Sequence, residues 1–190
     1  MSGAHGHGAG EGSNKTIALL ISVLALCLAF GETLAKSAQT NAISDNVEAS
    51  NLWAFFQAKT IRITTLRAGT STAEMMTAAT PEFGKTDAYR KTMEDWSKTI
   101  PRWESEPETG EGRKELAARA KAAEHRRDTA LARYHHYELG SAAFQIGIVL
   151  ASAMLITGIA ALAWAGAALG VAGIGMLAIG LFAPHAVHLI

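Results

Sequence analysis

Charge is absent from two stretches of this chain. Residues 17–31 and 140–183 hold no Asp, Glu, Lys or Arg, so neither is suited to a water-exposed surface. Cysteine is nearly absent as well: the one thiol, Cys27, lies inside the first uncharged stretch. A single cysteine excludes an internal disulfide, and no Cys/His spacing matches a zinc or iron–sulfur site, so Cys27 reads as a small packing residue. Proline is scarce, with 4 in 190 residues. Pro81, Pro101 and Pro107 fall together near the middle, leaving long runs on either side with nothing to stop a helix. Also missing are a Ser/His/Asp set, paired inward carboxylates and a glycine-rich loop between a strand and a helix. No catalytic residue, cofactor or metal is therefore expected. The 17 basic and 17 acidic residues balance, which gives nucleic acid no electrostatic foothold.

The uncharged stretches have the dimensions of membrane spans. A helix needs roughly 20 mostly apolar residues to cross a hydrocarbon core about 30 Å thick. Residues 140–183 are too many for one span and enough for two. An interfacial Trp beside a flexible small residue places the division at Trp164, Ala165 and Gly166, giving spans at 140–163 and 167–183. Residues 16–35 supply the first span. Its uncharged core is short enough for a secretory signal, but the tail before it offers only Lys15 as a basic flank and Lys36 interrupts the small residues after it. An uncleaved span is preferred. Residues 1–15 read as a disordered His/Gly-rich tail, in which His5 and His7 could form at most a weak metal clamp. Residues 184–190 form a short C-terminal tail.

Between the spans lies a charged insert, residues 36–139. Among basic residues only Lys15 falls outside it. Topology follows the basic residues near span ends; here these are Lys36 on one side and Lys121, Arg126, Arg127 and Arg133 on the other, which predicts a cytoplasmic insert. Apolar residues recur at helical intervals in two rows: Ile43, Val47, Ala54 and Ile61, then Leu52, Phe56, Ile63 and Leu66. These predict that the first span continues as a helix to residue 68. A returning helix from 113 carries Leu116, Ala120, Ala123, Arg127, Ala130, Tyr134, Tyr137 and Ser141 at alternating spacings of four and three, a heptad seam. The prolines, with Gly69, Gly84, Gly110 and Gly112, assign the turn-around to a tip at about 70–112. Within it, 86–99 reads as a short amphipathic helix through Tyr89, Met93 and Trp96, and 104–112 as an exposed, mobile acidic stretch. The expected fold is all-α: an integral membrane protein with three transmembrane helices and a long antiparallel, coiled-coil-like helical insert.

Several polar and small residues stand out. Glu32 and Gln145 lie nearest the lipid, where an ionisable group is costly. They serve either as an interhelical hydrogen bond or as the lining of a pore. His135, His136, Tyr137 and Glu138 suit a membrane interface, each ring having an apolar body and a polar tip. Gly147, Gly166, Gly170 and Gly173 resemble small-xxx-small packing surfaces. Asn46, Asn51, Gln57 and Lys59 on an apolar-faced helix either select register by hydrogen bonding or form a solvated face.

The run NVEASNLWAFFQAK at residues 46–59, which contains Trp53 and Phe56, resembles a bacterial family of small membrane proteins catalogued as a domain of unknown function. The run QIGIVLAS at 145–152 is similar to that family's second-span signature. The resemblance covers most of the chain outside the tip. It implies an N-terminal span, a helical insert and two C-terminal spans in a bacterial inner membrane, and it carries no reaction.

The expected function is a homo-oligomeric membrane scaffold, assembled through arms bearing Asn46, Asn51, Trp53, Phe56, Gln57, Lys59, Tyr134 and Tyr137. Such arms could also dock a further protein partner. The alternative is a channel or transport subunit lined by Glu32 and Gln145. Heptad seams with wide apolar faces find partners, which favours the first. A reporter active only in the cytoplasm, fused near residue 105, is expected to be active; activity only from an exterior reporter would reverse the orientation.

Overall fold

The computed structural model describes residues 8–186, with side chains from residue 14 onward. Among the described residues the regular structure is entirely helical: α1 (Gly8–Ala79), α2 (Pro81–Gly84), α3 (Asp87–Glu104), α4 (Arg113–Thr157) and α5 (Ala160–Phe182). The chain divides into two units. One takes α1 up to Ile43 together with everything from Arg127; the other is Ser44–Arg126.

Helix α1 is longer at both ends than the sequence suggests. It begins at Gly8, inside the stretch expected to be disordered, because a nucleated helix extends at far lower cost than a new one starts. His5 and His7 lie outside the described residues. At its other end the helix passes Gly69, where a break was expected, and reaches Ala79. Gly69 serves packing: a Cβ there would lie 2.9 Å from the Trp96 ring. The threonines that follow do not unwind the helix, since Thr70, Thr72 and Thr77 each donate their hydroxyl to the carbonyl four residues back. The helix ends where Thr80 precedes Pro81, an arrangement that disfavours helical backbone at the first of the pair.

In the Ser44–Arg126 unit the core is Ala49 and Leu52 of α1 with Leu116, Ala120 and Ala123 of α4, flanked by Trp53 and Phe56. All three α4 residues are fully buried, and they belong to the heptad seam expected from the sequence. Of the two apolar rows on α1, Leu52, Phe56, Ile63 and Leu66 turn inward, whereas Val47, Ala54 and Ile61 stay exposed. Helix α3 is capped by Thr86, whose hydroxyl accepts the Tyr89 N–H at 3.3 Å. It runs past the expected end at 99 to Glu104, because Pro101 in its closing turn removes only one late hydrogen bond. The acidic stretch 104–112 is tied down rather than free. Ser105 Oγ donates to Glu115 Oε1 at 2.6 Å and the Glu106 N–H to Glu115 Oε2 at 3.1 Å. Gly110 supplies the left-handed turn, with φ +68°.

In the other unit, Ala130, Tyr137, Phe144 and Ala151 of α4 are buried at seven-residue intervals, and so are Ile17, Leu24, Gly31 and Ala38 within α1's contribution. Helix α5 buries Gly166, Gly170, Gly173 and Gly180. These glycines admit close neighbours. A Cβ on Gly166 would stand 2.7 Å from the Gly147 carbonyl oxygen, and one on Gly173 would stand 2.7 Å from the Phe144 ring. The turn before α5 lies at Gly158 and Ile159, not at 164–166. Gly158 adopts φ +73°, which favours glycine, while Gly166 sits inside the helix for packing. The spans expected at 140–163 and 167–183 thus become the end of α4 and the whole of α5. Trp164, expected to mark the turn, is helical and 78 % exposed. Three helices, α1, α4 and α5, are long and apolar enough to cross a membrane.

Truncating a buried side chain removes transfer energy and leaves a cavity. Leu116→Ala is expected to cost about 2–5 kcal/mol. The exposed Arg62→Ala should change stability by no more than about 0.5 kcal/mol. Denaturant unfolding in detergent, followed by tryptophan fluorescence, measures both; equal losses would misplace the core.

Candidate functional site

Two groups of polar side chains are built with definite geometry, one in each unit. In the Ser44–Arg126 unit, the aromatic run of α1 faces α4. Trp53 Nε1 donates to Glu124 Oε1 at 2.8 Å, and the Phe56 ring meets Trp53 edge-to-face at 5.3 Å. The Arg113 guanidinium lies 5.6 Å from the Phe56 ring centre, and Lys59 Nζ lies 5.6 Å from that of Phe55. Arg113 also pairs with Glu104. Further along, Arg126 reaches Asp45 at 2.9 Å and Glu48 at 2.6 Å. Trp53, Phe56 and Lys59 are therefore turned toward the body of their own unit, with Lys59 only 6 % exposed. Asn46, Asn51 and Gln57 lie on the exposed side of the same helix. Sequence reading singled out the α1 aromatics but missed Glu124, Arg113 and Arg126. The available signal was their position beside the heptad seam, where charged residues pair across helices.

The second group belongs to the unit formed by α5 and the adjoining parts of α1 and α4. Gln145 Nε2 donates to Glu32 Oε1 at 3.3 Å. The Tyr134 hydroxyl donates to Glu138 Oε1 at 3.1 Å. These residues, with Lys36, Gln39 and Ser141, line a groove of about 550 Å³. The Ser141 hydroxyl is buried and has no hydrogen-bond partner. The four residues expected to anchor at an interface separate here. His136 and Tyr137 are buried against Gly180, and the His136 Nδ1–H bonds the Ala132 carbonyl at 2.7 Å. His135 and Glu138 face outward. The reason lies in the repeat: Tyr137 occupies a seam position and His136 its neighbour, so both rings point inward. Gly147, Gly166, Gly170 and Gly173 are all buried. Among the described residues no three His, Cys, Asp or Glu side chains cluster as a metal site.

Protonation matters most at the junction with α4. A hydrogen bond from Arg113 holds the Glu104 carboxyl below its usual range, and one from Ser105 does the same for Glu115. A carboxylate whose pKa is depressed by folding stabilises the fold above its unfolded value and loses that contribution as pH falls through the folded one. Thermal unfolding between pH 7 and 3 should therefore show stability falling once the pH drops below the ordinary carboxylate value of 4.5. Glu104→Gln should flatten that acid limb; an unchanged limb would remove Glu104 from the account.

None of the curated proteins or solved structures matches this chain. The family described as Domain of unknown function (DUF4337) matches residues 13–183, which takes in both units and all three long apolar helices. The chain belongs to that family.

Proposed function

We propose that this protein is a multi-pass protein of a bacterial inner membrane. In this reading it assembles with copies of itself through α1 and serves as a scaffold or docking platform without catalysis. The membrane position is supported by the side chains that α1, α4 and α5 turn outward. Leu19, Phe30, Val149, Ile156, Val171 and Phe182 are each at least 60 % exposed, apolar surface that water penalises and lipid does not. Orientation rests on the flanking basic residues, which favour a cytoplasmic insert.

The assembly reading is carried by one observation. Helix α1 has a second register, at positions 47, 51, 54, 58, 61, 65 and 68, which again alternates spacings of four and three. All seven positions are exposed, and none is charged. Val47, Ala54 and Ile61 form its apolar line, small residues at Ala58 and Ala68 permit close approach, and Asn51, the one amide beside Thr65's hydroxyl, is a polar residue of the kind that selects register. Such a stripe matches a helix of the same pitch, and a second copy of α1 supplies one. The channel reading is weaker, because Glu32 and Gln145 hydrogen-bond each other.

Ile61→Glu and Ala54→Glu place charge on this stripe while leaving the core alone. Native mass spectrometry in detergent should find an oligomer for the unmodified chain and monomer for both variants. A monomeric unmodified chain, or variants of undiminished mass, would overturn the assembly reading. Solute flux in reconstituted liposomes would favour the channel instead.

A further inference from the structure

The groove lined by Glu32, Lys36, Tyr134, Glu138 and Gln145 has a chemistry that scaffolding does not use. Its α1 contribution comes from positions 32, 35, 36 and 39, and its α4 contribution from 134, 138, 141, 142 and 145. Each set spaces as one side of a helix, so the groove runs along both. It also sits at the edge of the apolar bands: Glu32 directly follows the uncharged run 17–31, and Glu138 closely precedes the run that begins at 140. A polar groove at that depth faces phospholipid headgroups, given the membrane reading above, on which this inference rests.

The charges in the groove discriminate among headgroups. Two carboxylates, Glu32 and Glu138, stand against one ammonium, Lys36. Hydrogen bonds from Gln145 and Tyr134 orient the carboxylates through one oxygen each, and His135 Nδ1 lies 3.9 Å from the second Glu138 oxygen. The remaining acceptor capacity suits a cation that donates several hydrogen bonds. Lys36 supplies a positive charge for an adjacent phosphate. A purely anionic headgroup meets two like charges, and a quaternary ammonium has no N–H to donate. We propose that this groove binds a phospholipid whose headgroup joins a primary ammonium to a phosphate, the ammonium on Glu32 and Glu138 and the phosphate on Lys36.

The test uses the full chain in detergent, equilibrated with equal amounts of phosphatidylethanolamine, phosphatidylcholine and phosphatidylglycerol bearing identical acyl chains. Native mass spectrometry should show preferential retention of phosphatidylethanolamine. Glu32→Gln and Glu138→Gln keep the orienting hydrogen-bond acceptors and remove the charge. Each should lower that retention about tenfold, the scale of one charge-assisted hydrogen bond. Lys36→Met should also lower it. Excess soluble phosphoethanolamine should leave the lipid bound; displacement at stoichiometric amounts would assign the groove to a soluble ligand and overturn the proposal. Equal retention of the three lipids by a detergent-requiring chain would overturn the headgroup assignment alone. Recovery of the chain in the soluble fraction without detergent would overturn the membrane reading as well.

Discussion

One constraint organises this molecule: a buried residue every seventh position, with a second set offset by three or four. On α4 the positions 116, 123, 130, 137, 144 and 151 are all buried. On α1 the same spacing links Ile17, Leu24, Gly31, Ala38, Leu52 and Lys59, all buried, through the half-buried Asp45. A straight helix drifts about 20° per heptad against such a repeat, so keeping the seam on one side within each unit favours left-handed winding there. Large and small side chains share the seam: on α4, Leu116, Tyr137 and Phe144 stand in line with Ala123, Ala130 and Ala151, and the small ones leave room for bulk from the facing helix.

The seam serves two chemically different surroundings. In the Ser44–Arg126 unit it is flanked by charge, and the pairs of Trp53 with Glu124 and Arg126 with Asp45 and Glu48 run from one helix to the other. Exposed ion pairs contribute little energy, but they oppose slippage by a heptad, because each would then meet the wrong partner. Along the uncharged runs 17–31 and 140–183 of the other unit the flanks are mostly apolar, and glycine takes over the work of close approach. The contact of Gly147 with Gly166 gains by van der Waals packing between closely approaching backbones.

Much of this was legible in the residues. The α4 seam could be read position by position, because leucine and alanine at spacings of three and four have one physical explanation. Both apolar rows on α1 were visible as well, but periodicity alone could not say which faced inward. Leu52 and Phe56 have the volume to fill space beside small Ala120 and Ala123, which decides the matter once the helices are paired. Turns were the least legible. Gly158 and Gly166 look equivalent in sequence, yet one supplies a positive φ and the other a close contact. Gly69 likewise marks a Trp96 contact rather than a break. The groove was half visible: Glu32 and Gln145 stood out by depth and Lys36 follows Glu32 by one turn of the same helix, whereas Tyr134 joined them only when α1 and α4 were set in register.

The seam can be tested without any functional assay. In a Cys27→Ser background, single cysteines placed in turn at positions 45–68 of α1 report the local environment through their rate of reaction with a small thiol reagent. The account predicts slow labelling at 49, 52, 56, 59 and 63, repeating every 3.5 residues, whether or not self-association also shields 47, 54 and 61. Fast labelling at those five positions, with protection confined to 47, 54 and 61, would contradict it.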